Sequence, residues 1–186
     1  DHSNKEVLQW REQRPDIIYI FSKDILRHRR AQKEDAVWLK KGEEYKDETL
    51  SVRAFGSTDV GVSFLLQASG KKIFHAGDLN NWHWMDESTE AQWKGAEKNF
   101  LHELDDLYAY TPEVDVAMFP VDPRLGKEYM RGAGQFVTKI KTHIFVPMHF
   151  TPEYAKANAF RDFAEAHGVR FVSLTHRGQK IEIITK

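Results

Sequence analysis

The sequence predicts a mixed α/β fold, built as one domain over residues 1–186. Two patterns carry that expectation. Between residues 36 and 78, short β-forming stretches alternate with turn-prone ones. Beyond residue 88, amphipathic helices alternate with buried strands. Together they read as a β meander followed by β-α units on a second sheet, with helices outside. No repeat, low-complexity tract or Pro/Gly/Ser-rich linker interrupts the chain.

Each element has a local reason. Ser3 or Asn4 can cap a first helix that runs to Trp10 and stops before Pro15. Ile17-Ile18-Tyr19-Ile20-Phe21 is a run of β-formers that predicts a buried strand. Residues 23–32 read as a short helix whose basic face, Arg27-His28-Arg29-Arg30, is balanced at once by Glu34 and Asp35. Strands are expected at 36–39, 43–46, 50–55, 60–68 and 72–75. Lys41-Gly42, Gly56-Ser57-Thr58-Asp59 and Ser69-Gly70 separate them. Trp93, Ala96, Phe100, Leu104 and Leu107 recur at helical spacing and place a helix over 88–108. Ser88 with Ala91 makes no capping box, but Asp86, Glu87 and Glu90 suit a helix start. Strand 114–119, helix 127–141 and strand 143–146 follow. A helix over 152–167 then has Pro152 at its first position and Gly168 past its end. Strands 169–174 and 180–184 close the chain.

Composition removes several classes of function. Lys and Arg number 27 against 28 Asp and Glu, so the chain lacks the charge of a protein that coats nucleic acid or an anionic membrane. Without Cys, disulfide scaffolds, Cys-based zinc sites and Cys nucleophiles are excluded. No apolar run approaches the roughly 20 residues of a membrane helix. There is no signal-peptide pattern at the start, and the sequence opens Asp1-His2-Ser3-Asn4 without Met.

Three places put metal-ligand chemistry at a strand end or a loop start, where open sheets collect ligands. They are Asp1-His2 before the first helix, Phe74-His75-Ala76-Gly77-Asp78-Leu79-Asn80, and Ile144-Phe145-Val146-Pro147-Met148-His149-Phe150. Carboxylates and imidazoles are the ligands that suit Zn²⁺, Mn²⁺ or Fe. Common competitors are missing. His102-Glu103 is not followed by a second His at the zinc-protease spacing, and there is no P-loop, Gly-x-Gly-x-x-Gly or Gly-x-Ser-x-Gly.

In that order, Lys72-Ile73-Phe74-His75-Ala76-Gly77-Asp78, Asp115-Val116-Ala117-Met118-Phe119-Pro120 and Ile144-Phe145-Val146-Pro147-Met148-His149 resemble the metallo-β-lactamase superfamily. They resemble the branch of metal-dependent hydrolases related to the ascorbate-6-phosphate lactonase group. The resemblance implies an αββα sandwich, here with an incomplete first sheet, and a site at the shared edge of two sheets. Asp1-His2 looks like the end of the family's His-x-His-x-Asp-His signature. The resemblance thus implies that an N-terminal piece with two further His and the preceding strands is missing from this sequence.

The same resemblance implies one complete metal site, held by Asp1, His2, Asp78 and His149, with Asp78 in the bridging role. The first metal site lacks its His ligands: the matching stretch, Phe55 to Gly61, holds none, and Ser57 or Asp59 is left as the recruit. Asp1 would also orient the attacking water. His83, in the loop Asn80-Asn81-Trp82-His83-Trp84, can reach substrate or donate a proton. The loop's aromatics Trp82 and Trp84 can wall the pocket, and Asn80 and Trp82 are candidates to support the site or touch substrate. Strand alternation sets His75 on the opposite face from Asp78, as a packed or supporting residue. Asp122 is a candidate acceptor for the far nitrogen of a ligand imidazole. Gly132 and Gly134, costly in a helix, suit close packing or anion binding. His28, His102, His143, His167 and His176 read as surface or structural residues.

The implied activity is hydrolysis of a phosphoester, phosphodiester or lactone by a metal-activated water, using one or two ions of Zn²⁺ or Mn²⁺, with Fe also suited. The alternative is a non-catalytic metal-binding or regulatory module, or an inactive fragment of such an enzyme. A small-molecule substrate and a cytoplasmic location are expected. Exposed strand edges invite pairing with another copy of the chain.

Overall fold

The computed structural model describes residues 4–27, 31–150 and 152–182, with backbone alone at Lys5 and Arg27. A 3-10 helix over Lys5–Glu12 opens the chain, and the Asn4 side chain caps it by accepting from the Glu6 N–H. Two short strands, β1 (Ile20–Ser22) and β2 (Val37–Leu39), pair in parallel. Between them, α1 covers Lys23–Arg27 of the expected 23–32 helix.

The remaining strands form one seven-stranded sheet. They are β3 (Glu44–Lys46), β4 (Leu50–Phe55), β5 (Ser63–Ala68), β6 (Lys71–His75), β7 (Glu113–Pro120), β8 (Lys141–Met148) and β9 (Arg170–Phe171). Their order in space is their order in sequence. The first four are antiparallel and the last four parallel. This corrects the expectation of two separate sheets for meander and β-α units. The last meander strand, β6, is also the first strand of the parallel set, pairing Ile73 with Val116 and His75 with Met118. The crossover between them is the long helix α2 (Glu90–Tyr110), the length that a parallel connection requires.

The cap of helix α2 is Thr89, one residue after Ser88. Thr89 and Gln92 form a reciprocal capping box, which fixes the helix start. Its Phe100, Leu104 and Leu107 pack on one sheet face with Phe136 and Val137 of α3 (Arg131–Lys139) and Ala164 of α5 (Arg161–Ala166). Phe74, Phe119 and Phe145 from neighbouring strands meet them, with Phe119 and Phe136 ring centroids 4.6 Å apart. Burying each such ring contributes on the order of 2 kcal/mol. On the opposite face, Leu39, Ile20 and Val37 of the β1–β2 pair pack over Val52, Ala54 and Phe64. The second layer is thus present over the meander half of the sheet.

Two other elements depart from expectation. The helix expected over 152–167 is split into α4 (Tyr154–Asn158) and α5. At the end of α4 the Asn158 amide bonds the Leu174 N–H and carbonyl, at 3.1 and 2.8 Å. Where the helix over 127–141 was expected to begin, a 3-10 segment over Pro123–Glu128 runs instead, and Gly126 breaks it at φ 78°. The closing strand expected over 180–184 is not a strand at 180–182, and its remainder lies outside the described residues. Among the described residues no helix is long and apolar enough to cross a membrane.

Candidate active site

Strands β6, β7 and β8 are parallel neighbours, so their C-terminal ends open side by side. Each delivers one polar side chain there. After β6 the Ala76 N–H bonds the Met118 carbonyl at 2.9 Å, and the chain then turns through Gly77 at φ 57°. A Cβ at Gly77 would stand 2.9 Å from the Val62 carbonyl oxygen, so the turn demands glycine twice over. Asp78 follows, buried. After β7 comes Asp122, whose carboxylate caps the 3-10 segment through the Arg124 N–H. After β8 comes His149 at φ 65°, a conformation that costs a non-glycine residue about 1–2 kcal/mol and is kept where the surroundings impose it.

The three side chains converge. His149 Nδ1 lies 2.8 Å from Asp122 Oδ2, and His149 Nε2 lies 3.5 Å from Asp78 Oδ1. Arg124 grips the same Asp122 carboxylate, with Nε 3.0 Å from both oxygens and Nη2 2.6 Å from Oδ2. Burial alone would raise the Asp122 pKa. The hydrogen bonds from His149 and Arg124 overcome it and hold the carboxyl far below the usual range. His149 moves the other way, up to about 9, through its hydrogen bonds to Asp122 and then Asp78. Without a metal, the cluster is an imidazolium between two carboxylates at neutral pH.

These residues line a cleft of about 620 Å³, together with His75, Gly77, Arg124, Phe150 and Glu153. That volume suits a small-molecule substrate. Trp82 stands edge-on to His149 at 5.3 Å between ring centroids, donates its Nε1–H to the Asp78 carbonyl, and stacks on Trp84.

The pair Asp78–His149 has the geometry of two ligands. Donors about 2.1 Å from a tetrahedral ion lie about 3.4 Å apart, close to the observed 3.5 Å. The far imidazole nitrogen already rests on a buried carboxylate, the arrangement that fixes a ligand histidine in its tautomer. Among the described residues, no group of three or more His, Asp or Glu side chains is placed to hold an ion. Asp1 and His2, expected to complete the set, lie outside the described residues.

The other expected site residues divide. His75 lines the same cleft as Asp78 instead of facing away, because the Gly77 turn ends the strand alternation; its Nδ1 accepts the Gly77 N–H. His83, expected at the substrate, is instead buried and does not line the cleft. Its Nδ1 accepts the Met85 N–H and its Nε2 sits 3.1 Å from the Glu128 carbonyl, so backbone partners occupy both ring nitrogens. Asn80 is also fully buried, turned toward the helices. Ser57 and Asp59 do not line the cleft; between them Thr58 Oγ1 braces the Asn80 backbone at 2.6 and 3.0 Å. Below that loop, Asn81 Nδ2 donates to Glu97 and Gln135, and Arg131 clasps Glu97. A Cβ at Gly132 would meet Asn80 Oδ1 at 2.0 Å, so this glycine serves close packing. Sequence reasoning missed Arg124 and Glu153. The only signal for Arg124 was its place two residues beyond Asp122.

No protein-family model matches the sequence, and no curated protein matches it. Solved structures do. A protein named as a metal-dependent hydrolase from Parabacteroides distasonis ATCC 8503 superposes with a TM-score of 0.58 at 15% identity, covering 84% of this chain and 64% of its own. Igni18, a metallo hydrolase from the archaeon Ignicoccus hospitalis KIN4/I, gives 0.56 at 17% identity, covering 91% of this chain and 70% of its own. YhfI from Bacillus subtilis, a metallo-β-lactamase fold protein, gives 0.53 at 6% identity over 90% of this chain and 67% of its own. The chain spans less than two thirds of the length of the Parabacteroides protein. With a large mixed sheet, helices packed on one face, a second strand layer on the other, and these likenesses, the chain has the metallo-β-lactamase fold.

Proposed function

We propose that the cleft is the reaction centre of a metal-dependent hydrolase. The supporting observation is that Asp78 Oδ1 and His149 Nε2 converge at 3.5 Å while the buried Asp122 holds the other imidazole nitrogen. In this reading Asp1 and His2 complete the ligand set. A divalent ion held there, Zn²⁺ or Mn²⁺ with Fe also suited, would polarise the carbonyl or phosphoryl oxygen of the group under attack and would make hydroxide available near neutral pH.

The chain's own residues do the rest. Asp122 keeps the proton on Nδ1, so Nε2 presents its lone pair. Asp1 orients the attacking water. Trp82 shields one side of His149 from solvent. The proposed bond is a phosphoester, phosphodiester or lactone of a small molecule, in keeping with the lactonase-like branch that the motifs resemble, and the proposed location is the cytoplasm. A second reading, a metal-binding module without catalysis, is favoured by the Phe55–Gly61 stretch, which offers no imidazole.

Hydrolysis of bis-p-nitrophenyl phosphate with added Mn²⁺ or Zn²⁺ tests the proposal. Asp78→Ala is expected to lower the rate by more than about 100-fold, beyond the loss typical of a supporting residue. Equal rates in both proteins would remove Asp78 from the reaction, and metal binding without hydrolysis would favour the second reading.

A further inference from the structure

We propose that Arg124 anchors an anionic group of the substrate, a phosphate or a carboxylate, beside the reacting bond. This rests on the reading of the cleft as the reaction centre.

Arg124 lines the cleft and, among the described residues that do so, is the only one bearing a guanidinium or ammonium group. Its side chain is 62% exposed although it is tied to a carboxylate that is 1% exposed. The tie uses Nε and Nη2. Among the described residues, Nη1 makes no hydrogen bond. A guanidinium carries five N–H groups in one plane, so the edge formed by Nη1 and the second Nη2 hydrogen is left to face an oxyanion.

The position is near the chemistry. Nη2 stands 3.4 Å from His149 Nδ1, and the Asp78 charge is close enough to help raise the Arg124 pKa, after the dominant Asp122 hydrogen bond. An anion gripped there lies beside the Asp78–His149 pair. The fork is also held in advance. Asp122 has already restricted the long side chain, so binding loses less rotamer freedom than at an untethered arginine. Glu153, a further carboxylate in the cleft lining, is paired with Lys156 at 2.6 Å, which lessens its repulsion of an incoming anion.

A plain structural role, neutralising Asp122, is the competing account, and the two differ in what they make selective. In metal-loaded protein, inorganic phosphate binding is measured by calorimetry for wild type, Arg124→Gln and Arg124→Lys, with circular dichroism as the folding control. In parallel, kcat/KM is compared for p-nitrophenyl phosphate and p-nitrophenyl acetate. The anchor predicts phosphate binding weakened at least tenfold in Arg124→Gln. Arg124→Lys, which keeps the charge and loses the fork, falls in between. The preference for the anionic ester over the neutral one drops by a similar factor. Equal phosphate affinity in wild type and Arg124→Gln, or equal losses on both esters, overturns the proposal. If neither ester is hydrolysed by wild type, the hydrolase reading falls, while the phosphate titration still decides the role of Arg124.

Discussion

His149 Nδ1 rests 2.8 Å from Oδ2 of Asp122, and Asp122 is buried at the end of the neighbouring strand. A buried carboxylate is kept ionised only by partners. Here the partners are an imidazole just past β8 and a guanidinium two residues along the chain. Removing the charge and keeping the shape isolates its role. Asp122→Asn is expected to weaken divalent-metal binding by about 10–100-fold, measured by competition with a chromophoric chelator. Unchanged affinity would mean that Asp122 serves only Arg124.

Protonation of His149 is linked to folding. Its pKa in the folded, metal-free chain is up to about 9, against about 6.5 unfolded. The folded value is the higher one. The stabilisation is therefore fully present below about pH 6.5 and lost as pH rises through about 9. The difference corresponds to about 3 kcal/mol. Denaturant unfolding of metal-free protein from pH 6 to 10 is expected to show that decline in wild type and a flatter profile in His149→Gln. Parallel profiles would remove His149 as the source.

In the proposed metal centre, ion and proton would compete for the same nitrogen. Ligand imidazole must be neutral, whereas His149 is held protonated up to about pH 9. Apparent metal affinity is expected to rise about tenfold per pH unit between pH 7 and 9, reflecting one proton released per ion. A pH-independent affinity would place the ion away from His149.

Gly77→Ala tests the turn that delivers Asp78. The substitution meets both a left-handed φ of 57° and the Val62 carbonyl at 2.9 Å. The expected loss is about 1–3 kcal/mol in denaturant unfolding, with metal binding impaired as well. A neutral result would show that the turn can relax without moving Asp78.

The parts of this molecule legible in its sequence are those set by local chemistry. Strand β4 was placed over Leu50–Phe55 because turn residues bracket a run of β-formers. Asp78, Asp122 and His149 stood out because each follows a predicted strand closely, and parallel neighbours bring such ends together. Long-range facts were less accessible. Nothing local says that His75 of β6 pairs in parallel with Met118 of β7, which makes one sheet of the expected two. His83 looked available because its loop is polar and aromatic, yet the carbonyl that holds it belongs to Glu128, 45 residues away. The partner of Asn158, where the expected helix divides, is likewise distant: Leu174, 16 residues on.

In the proposed site Asp78 and His149 share one divalent ion, and a titration tests this directly. Full-length protein stripped of metal is titrated with Zn²⁺ by calorimetry, alongside Asp78→Asn and His149→Gln. At least one equivalent bound by wild type, with that binding lost or severely weakened in each variant, is the expected result. Wild-type protein that takes up no ion, or variants that bind as tightly as wild type, would contradict it.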